Sequence, residues 1–161
     1  MPETAVAAPT FVEKLDASRA AARVLATATT AQKNRALHAI GAAILRNADR
    51  ILPANELDLA NARENGMSEG MQDRLRLDFR RLEALEAAVR HIATIDDPIG
   101  TTIRGSQLPN GLTITQVRVP FGVVGAIYEA RPNVTIDIAG ASLVTNPVDV
   151  VGMLPGVTGT Q

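Results

Sequence analysis

Cysteine and tryptophan are both absent from this 161-residue chain, and aromatic residues make up only 2% of it. Without cysteine, the chain has no disulfide bond, no thiolate metal ligand and no cysteine nucleophile of its own. With so few aromatic side chains, the core has to be built from alanine, leucine, valine and isoleucine. A hydrophobic content of 46% over this length is enough for one domain with a buried core.

An excess of charge of one sign and a long apolar run are also missing. The formal net charge is −1, so the composition argues against electrostatic binding to nucleic acid or to a membrane surface. No uninterrupted apolar run approaches the roughly 18 residues of a membrane span. Residues 1–9 lack the basic and apolar regions of a secretory signal, and we expect them to be disordered. These observations predict a soluble, cytoplasmic protein without a nucleic-acid or membrane partner.

The composition changes near Asp96-Asp97-Pro98. The part before this point is alanine-rich, charged and helical in its periodicity, whereas nine of the 12 glycines follow it. No Ser/Gly-rich or Pro-rich spacer separates the two parts, so we interpret them as one fold. The sequence predicts a helical part over residues 10–95, a β-rich part over 99–128 and a further helix over 132–143.

Four amphipathic helices are predicted in the first part, and each needs a neighbour to bury its apolar stripe. Capping residues and helix breakers set their bounds. The first helix is predicted at 11–28 and the second after Thr29 or Thr30. The third runs from Pro53 through 55–63 to Gly66, and the fourth follows Asp78, with Leu82, Leu85, Val89 and Ile92 on one stripe.

Two histidines, His38 and His91, lie singly within these helical segments. Neither has a second histidine or a cluster of carboxylates at ligand spacing, so we interpret both as surface or interface residues. We predict no metal site.

The second part reads as extended segments separated by turns. Residues 99–104 predict a short strand, and Asn110-Gly111 is a hairpin signal. Residues 112–119 alternate with period two, which is typical of a half-exposed strand. Residues 123–128 are apolar throughout and predict a strand buried on both faces. Pro132 then suits the first turn of a helix that continues to Leu143.

The loop between this apolar strand and the last helix is the best candidate for a binding site. Backbone N–H groups at a helix start stabilise anions. Arg131 adds a forked donor suited to phosphate or carboxylate, and Asn133 adds a neutral amide of the kind that stabilises an oxyanion. The alternative is ordinary structure, in which Arg131 pairs with a surface acid and Asn133 caps the helix. The residues alone leave both interpretations open.

The segment RVPFGVVGAIYEARPNVTIDIA at 118–139 resembles the signature of the γ-glutamyl phosphate reductase (glutamate-5-semialdehyde dehydrogenase) family, a branch of the aldehyde dehydrogenase superfamily. Further segments resemble the family in the same order along the chain. They are QKN (32–34), AL (36–37), NADRIL (47–52), ANELD (54–58), ANARENG (60–66), DRL (73–75), DDPIG (96–100) and NGL (110–112).

The resemblance implies an α/β fold: an N-terminal helical segment followed by the first strands of an aldehyde-dehydrogenase-like NADP-binding domain, here a partial domain over 10–143. It implies reduction of L-glutamate 5-phosphate to L-glutamate 5-semialdehyde with NADPH, a step of proline biosynthesis. A cysteine thiolate of the family attacks the acyl phosphate, phosphate leaves, and hydride reduces the resulting thioester. Members are expected to form homo-oligomers.

The resemblance also assigns roles to residues of the loop. Asn133 matches the asparagine that stabilises the oxyanion of the tetrahedral intermediate. Tyr128, Glu129 and Ala130 would lie near the reacting end of the substrate and of NADP(H). The assignment of Arg131 to a substrate phosphate or carboxylate is our inference from its charge.

The match ends after Leu143, where the family continues with a Lys-Ser-Gly-Asn segment and residues 144–161 read differently. The nucleophilic cysteine of the family is also missing. We therefore expect a truncated reductase that is inactive by itself. The alternative is a non-catalytic binding module that assembles with full-length reductase subunits.

Overall fold

The computed structural model describes residues 10–145. Segment 1–9, for which we predicted disorder, and all but the first two residues of the 144–161 tail lie outside the described residues. The elements follow one another as α1 (Phe11–Leu25), α2 (Thr30–Arg46), α3 (Ala48–Glu64), α4 (Glu69–Leu75), α5 (Phe79–Ile92), β1 (Thr102–Gln107), β2 (Thr113–Val117) and α6 (Pro132–Thr145).

Local capping signals set most of the helix starts. Thr29 is the N-cap of α2 and exchanges hydrogen bonds with Gln32 in a capping box. Asp78 caps α5 by accepting from the Arg81 amide at 2.7 Å. Because Thr29 must be extended to cap α2, α1 ends at Leu25 instead of reaching the predicted residue 28.

The third helix begins earlier than predicted. It starts at Ala48, directly after Asn47 ends α2, so Pro53 lies inside the helix and does not start it. Its end agrees with the prediction, because Gly66 has φ +70° and the Met67 amide donates to the Ala62 carbonyl at 2.9 Å. Helix α4 was not predicted, because its seven residues are too few for a periodic signal.

The core forms where α2 packs against α5, with α6 lying against both. Leu37 of α2 is fully buried there, and the predicted α5 residues Leu82, Leu85 and Val89 are buried beside it. On α6, Gly140 is buried, and a Cβ added to it would lie 2.9 Å from the Ile92 side chain. A glycine at 140 therefore lets α6 approach α5 closely.

The strands differ from the prediction in position and in burial. β1 and β2 form an antiparallel hairpin, and every residue of both strands is exposed, whereas the alternation of residues 112–119 predicted one buried face.

The predicted strand at 123–128 is wrong in this structure, where only Ile127 makes a single bridge and its side chain is 89% exposed. A doubly buried strand requires neighbours on both sides and both faces, and residues 10–145 do not provide them.

Helix α6 begins at Pro132 as expected. Within residues 10–145, no helix combines the length and the apolar character needed to span a membrane.

Candidate functional site

A cleft of about 490 Å³ opens beside the first turns of α6. It lies between this helix start, one side of α5, the last turn of α4 and the segment that joins α4 to α5. Its lining residues are Asp73, Arg74, Arg76, Leu77, Arg81, Ala84, Leu85, Ala88, Arg131, Asn133 and Asp137.

Two of the predicted site residues, Arg131 and Asn133, line this cleft together. Pro132 between them is the first residue of α6, and the Arg131 carbonyl accepts from the Val134 amide at 3.0 Å. The loop that leads into the helix turns at Ala130, whose φ of +48° is unusual for a residue with a Cβ. This turn directly precedes the two lining residues.

The structure does not bring the other three predicted residues into the cleft, because Tyr128, Glu129 and Ala130 are not among its lining residues. The Tyr128 hydroxyl is instead within 2.5 Å of the Thr135 hydroxyl oxygen. This hydrogen bond fastens the end of the loop to the first turn of α6. The role of these three residues beside a cofactor stays a prediction.

The described residues do not show the alternative in which Arg131 pairs with a surface acid and Asn133 caps the helix. Asn133 lies inside the helix, and its amide donates to the Asp137 carboxylate over 3.4 Å, which is long for a hydrogen bond. Arg131 is exposed and makes no ion pair with an acid of residues 10–145. Within residues 10–145, Arg131 thus has no acidic partner, and the Asn133 amide has one long contact.

The positive charge of the cleft was missed in the sequence, because it comes mainly from residues far from the loop. Arg74, Arg76 and Arg81 line the cleft together with Arg131. Arg81 has its own partners, since it pairs with the Asp73 carboxylate at 2.9 Å and donates to the Arg76 carbonyl at 2.7 Å. The available signal was the concentration of four arginines within residues 74–81.

A buried amide holds the backbone on both sides of Arg76. Asn55 of α3 is 4% exposed, and its amide nitrogen donates to the Leu75 carbonyl at 2.9 Å. Its amide oxygen accepts from the Leu77 backbone N–H at 2.7 Å. Asn55 thereby satisfies two backbone groups on either side of Arg76, and the position of Arg76 depends on α3.

Replacing Asn55 by leucine should lower the free energy of unfolding by about 3 kcal/mol, because the Leu75 carbonyl and the Leu77 amide lose their partners. The exposed Asn61 on the same helix provides the matched control, and Asn61→Leu should change stability by less than about 0.5 kcal/mol. Urea unfolding followed by circular dichroism measures both. Equal effects of the two substitutions would show that the two hydrogen bonds contribute nothing.

No family model matches this chain. Curated relatives do match it, among them the γ-glutamyl phosphate reductase of Leifsonia xyli subsp. xyli, which is 54% identical over 136 residues. This alignment covers 84% of the chain and 32% of the relative. The γ-glutamyl phosphate reductase of Clavibacter michiganensis is 56% identical over 129 residues, which are 80% of the chain and 30% of the relative.

Solved structures with the same name confirm the fold. The γ-glutamyl phosphate reductase of Thermotoga maritima superposes with a TM-score of 0.84 at 36% identity, over 89% of this chain and 34% of that one. The enzyme of Saccharomyces cerevisiae gives a TM-score of 0.78 at 29% identity, over 91% and 38%. The chain spans about a third of the length of these relatives, and over most of its own length it is similar to γ-glutamyl phosphate reductases.

Proposed function

We propose that this chain forms one wall of the substrate site of a reductase that converts L-glutamate 5-phosphate to L-glutamate 5-semialdehyde. The observation that carries the proposal is the presence of Asn133 and Arg131 in one cleft at the start of α6. The similarity to γ-glutamyl phosphate reductases supplies the reaction, and the cleft supplies the donors that the reaction needs.

Asn133 has the chemistry for the central step. When a thiolate attacks the acyl phosphate, the carbonyl oxygen becomes negatively charged, and a neutral amide donor stabilises that charge. Asn133 is exposed, and within residues 10–145 its amide is held by the long contact to Asp137, so a small rotation frees it for the substrate. Arg131 can neutralise the departing phosphate or a carboxylate of the same substrate.

In the reaction that the family resemblance implies, NADPH supplies the hydride. Tyr128, Glu129 and Ala130 are proposed to lie near its reacting end. Within residues 10–145, however, no strand ends beside this loop, so the described residues do not form a crevice that would hold a dinucleotide. We therefore assign no step of the reaction to these three residues.

We further infer that the chain alone is inactive, because none of its 161 residues is the cysteine that the reaction requires. Turnover of L-glutamate 5-semialdehyde by the purified chain with NADP and phosphate would overturn this inference. Activity should appear in a chimera in which this chain replaces the matched third of the Leifsonia xyli reductase. A folded but inactive chimera would contradict the proposed function.

In that chimera, Asn133→Ala should lower kcat about 100-fold, because one oxyanion donor contributes about 3 kcal/mol to the transition state. The assay runs the reaction in reverse: the semialdehyde reduces NADP in the presence of phosphate, and the NADPH formed is measured. Asn61→Ala, an exposed asparagine remote from the cleft lining, is the control and should retain full activity. A kcat that is unchanged in Asn133→Ala would remove the asparagine from the mechanism.

The exposed hairpin favours a second candidate function, namely assembly with reductase subunits. Leu112 and Ile114 are 57% and 47% exposed, and a two-stranded hairpin without a packing partner is only marginally stable in water. We propose that this hairpin packs against another subunit. Such packing is compatible both with a catalytic assembly and with the non-catalytic module.

Ile114→Lys should abolish association of the chain with itself or with the full-length Leifsonia xyli reductase, because it places a charge in the apolar contact. Thr115→Lys adds the same charge to the opposite face of β2 and should leave association intact. Light scattering after size-exclusion chromatography measures both variants. Association that survives Ile114→Lys would contradict the proposal for the hairpin.

A further inference from the structure

The cleft contains positive charge that the proposed function does not use. Arg74 and Arg76 line it, and neither makes an ion pair with an acid among residues 10–145. Among the described residues, the Arg74 guanidinium donates to the Met71 sulfur at 3.9 Å. Of the two acids in the lining, Asp73 is paired with Arg81, and Asp137 accepts from Asn133. The lining therefore carries an excess of positive charge facing one cleft.

The shape of the cleft suits a small ligand. Its volume of about 490 Å³ falls within the range of roughly 300–1,000 Å³ that is usual for small-molecule sites. On the α5 side the lining includes Ala84 and Ala88, whose small side chains leave room between the arginines and the start of α6.

The backbone around Arg76 is held in place, although the side chains of Arg74 and Arg76 are exposed. Asn55 hydrogen-bonds to the backbone on both sides of Arg76, and Arg81 donates to the Arg76 carbonyl. A backbone held in this way loses less conformational entropy on binding an anion than a free loop would. Guanidinium groups are suited to phosphate and carboxylate groups.

We propose that Arg74 and Arg76, together with Arg131, form an anion subsite that binds a phosphate or carboxylate group of the substrate beside Asn133. The anion subsite takes small organic anions. Its identification with an anionic group of L-glutamate 5-phosphate rests on the proposed function. A substrate with two anionic groups matches the excess of positive charge in the cleft.

The first test uses the full chain and inorganic phosphate at low ionic strength, with calorimetric titration as the measurement. Phosphate should bind saturably, and Arg74→Gln and Arg76→Gln should each weaken binding about fivefold, as expected for screened charge-assisted hydrogen bonds. Asp137→Asn should tighten binding, because it removes a negative charge from the lining.

Two control variants make this test specific. Arg35→Gln removes an exposed arginine of α2 outside the cleft lining and should leave the affinity for phosphate unchanged. Ala84→Leu fills the cleft without changing its charge and should weaken binding. Equal losses in Arg35→Gln and Arg76→Gln, or unchanged affinity in Arg74→Gln and Arg76→Gln, would overturn the anion subsite.

The second test separates this proposal from the proposed function. In the active chimera, Arg76→Gln should raise the KM for phosphate or for the semialdehyde about fivefold with kcat nearly unchanged. A rise for phosphate assigns the anion subsite to the phosphoryl group, and a rise for the semialdehyde assigns it to the α-carboxylate. If neither KM changes, the substrate does not use the anion subsite. An inactive chimera whose chain still binds phosphate contradicts the proposed function alone.

Discussion

Replacing Asp97 by asparagine is expected to lower the free energy of unfolding by about 4 kcal/mol, because it leaves a buried ammonium group without its counter-charge. The Lys33 Nζ atom lies 2.7 Å from an Asp97 carboxylate oxygen, and the two side chains are only 5% and 12% exposed. The same carboxylate also accepts from the Thr30 hydroxyl and from the Ile99 amide. Asp97 thus connects the start of α2 to the segment that follows α5.

The neighbouring Asp96 provides a matched control, since it is exposed and makes no ion pair within residues 10–145. Asp96→Asn should change the free energy of unfolding by less than about 0.5 kcal/mol. Chemical denaturation at pH 7 measures both variants. If Asp97→Asn costs no more than Asp96→Asn, the pair does not stabilise the fold.

The pair also predicts a dependence of stability on pH. Burial alone would raise the pKa of Asp97, but the hydrogen bond from Lys33, the Ile99 amide, the charge of Lys33 and the Thr30 hydroxyl together hold it below its ordinary value of 3.8. The folded chain then binds this proton less readily than the unfolded chain does. The stabilisation is therefore fully present above about pH 4 and is lost as pH falls through the folded-state pKa.

Unfolding measured between pH 7 and pH 2 tests this dependence. Across this acid range, the difference in stability between the parent chain and Asp97→Asn should shrink as the carboxylate takes up its proton. A difference that stays constant down to pH 2 would contradict the assignment of the lowered pKa to Asp97.

Replacing Leu37 by alanine is expected to cost about 4 kcal/mol, because the cavity left in a closely packed core does not collapse fully. Leu37 is fully buried between α2 and α5, and its side chain also lies near Gly140 of α6. The substitution should therefore loosen the helix that carries Asn133, and phosphate binding by the anion subsite should weaken as well.

Leu57→Ala is the control for this substitution, since Leu57 is 68% exposed and lies outside the core cluster. Its expected effect on the free energy of unfolding is within about 0.5 kcal/mol. Denaturation curves give the stabilities, and titration with phosphate gives the affinity. A loss in Leu37→Ala no larger than in Leu57→Ala would mean that α6 does not depend on this core.

The features that the sequence predicted correctly depend on residues close together along the chain. A cap at Thr29 or Thr30 was predicted, and the structure has Thr29; the caps at Asp78 and Gly66 were predicted directly. All three act within one or two turns, so their residue types are sufficient evidence. The strand predicted at 123–128 failed because a strand of that composition depends on partners from other parts of a sheet. The apolar pattern indicates that the segment needs neighbouring strands and covered faces, but the presence of those neighbours depends on other parts of the chain.

The same distinction applies to the candidate site. Arg131 and Asn133 are two residues apart, so strand–loop–helix reasoning was enough to pair them. Arg74 and Arg76 are more than 50 residues away and reach the cleft only because α5 and α6 pack together. Asn55 is further still, and its contact with Leu75 and Leu77 depends on how α3 meets the segment after α4.

Gly140 has a consequence for turnover. It lies seven residues after Asn133, which is about two turns and 10 Å along the same face of α6. A Cβ at position 140 would meet Ile92 on α5, while Asn133 lines the cleft at the other end of that face. In the proposed reductase, a bulkier residue at 140 would push α6 away from Ile92 and move the Asn133 amide away from the reacting carbonyl. The rate of that reaction would then depend on a glycine two turns away from the proposed oxyanion donor.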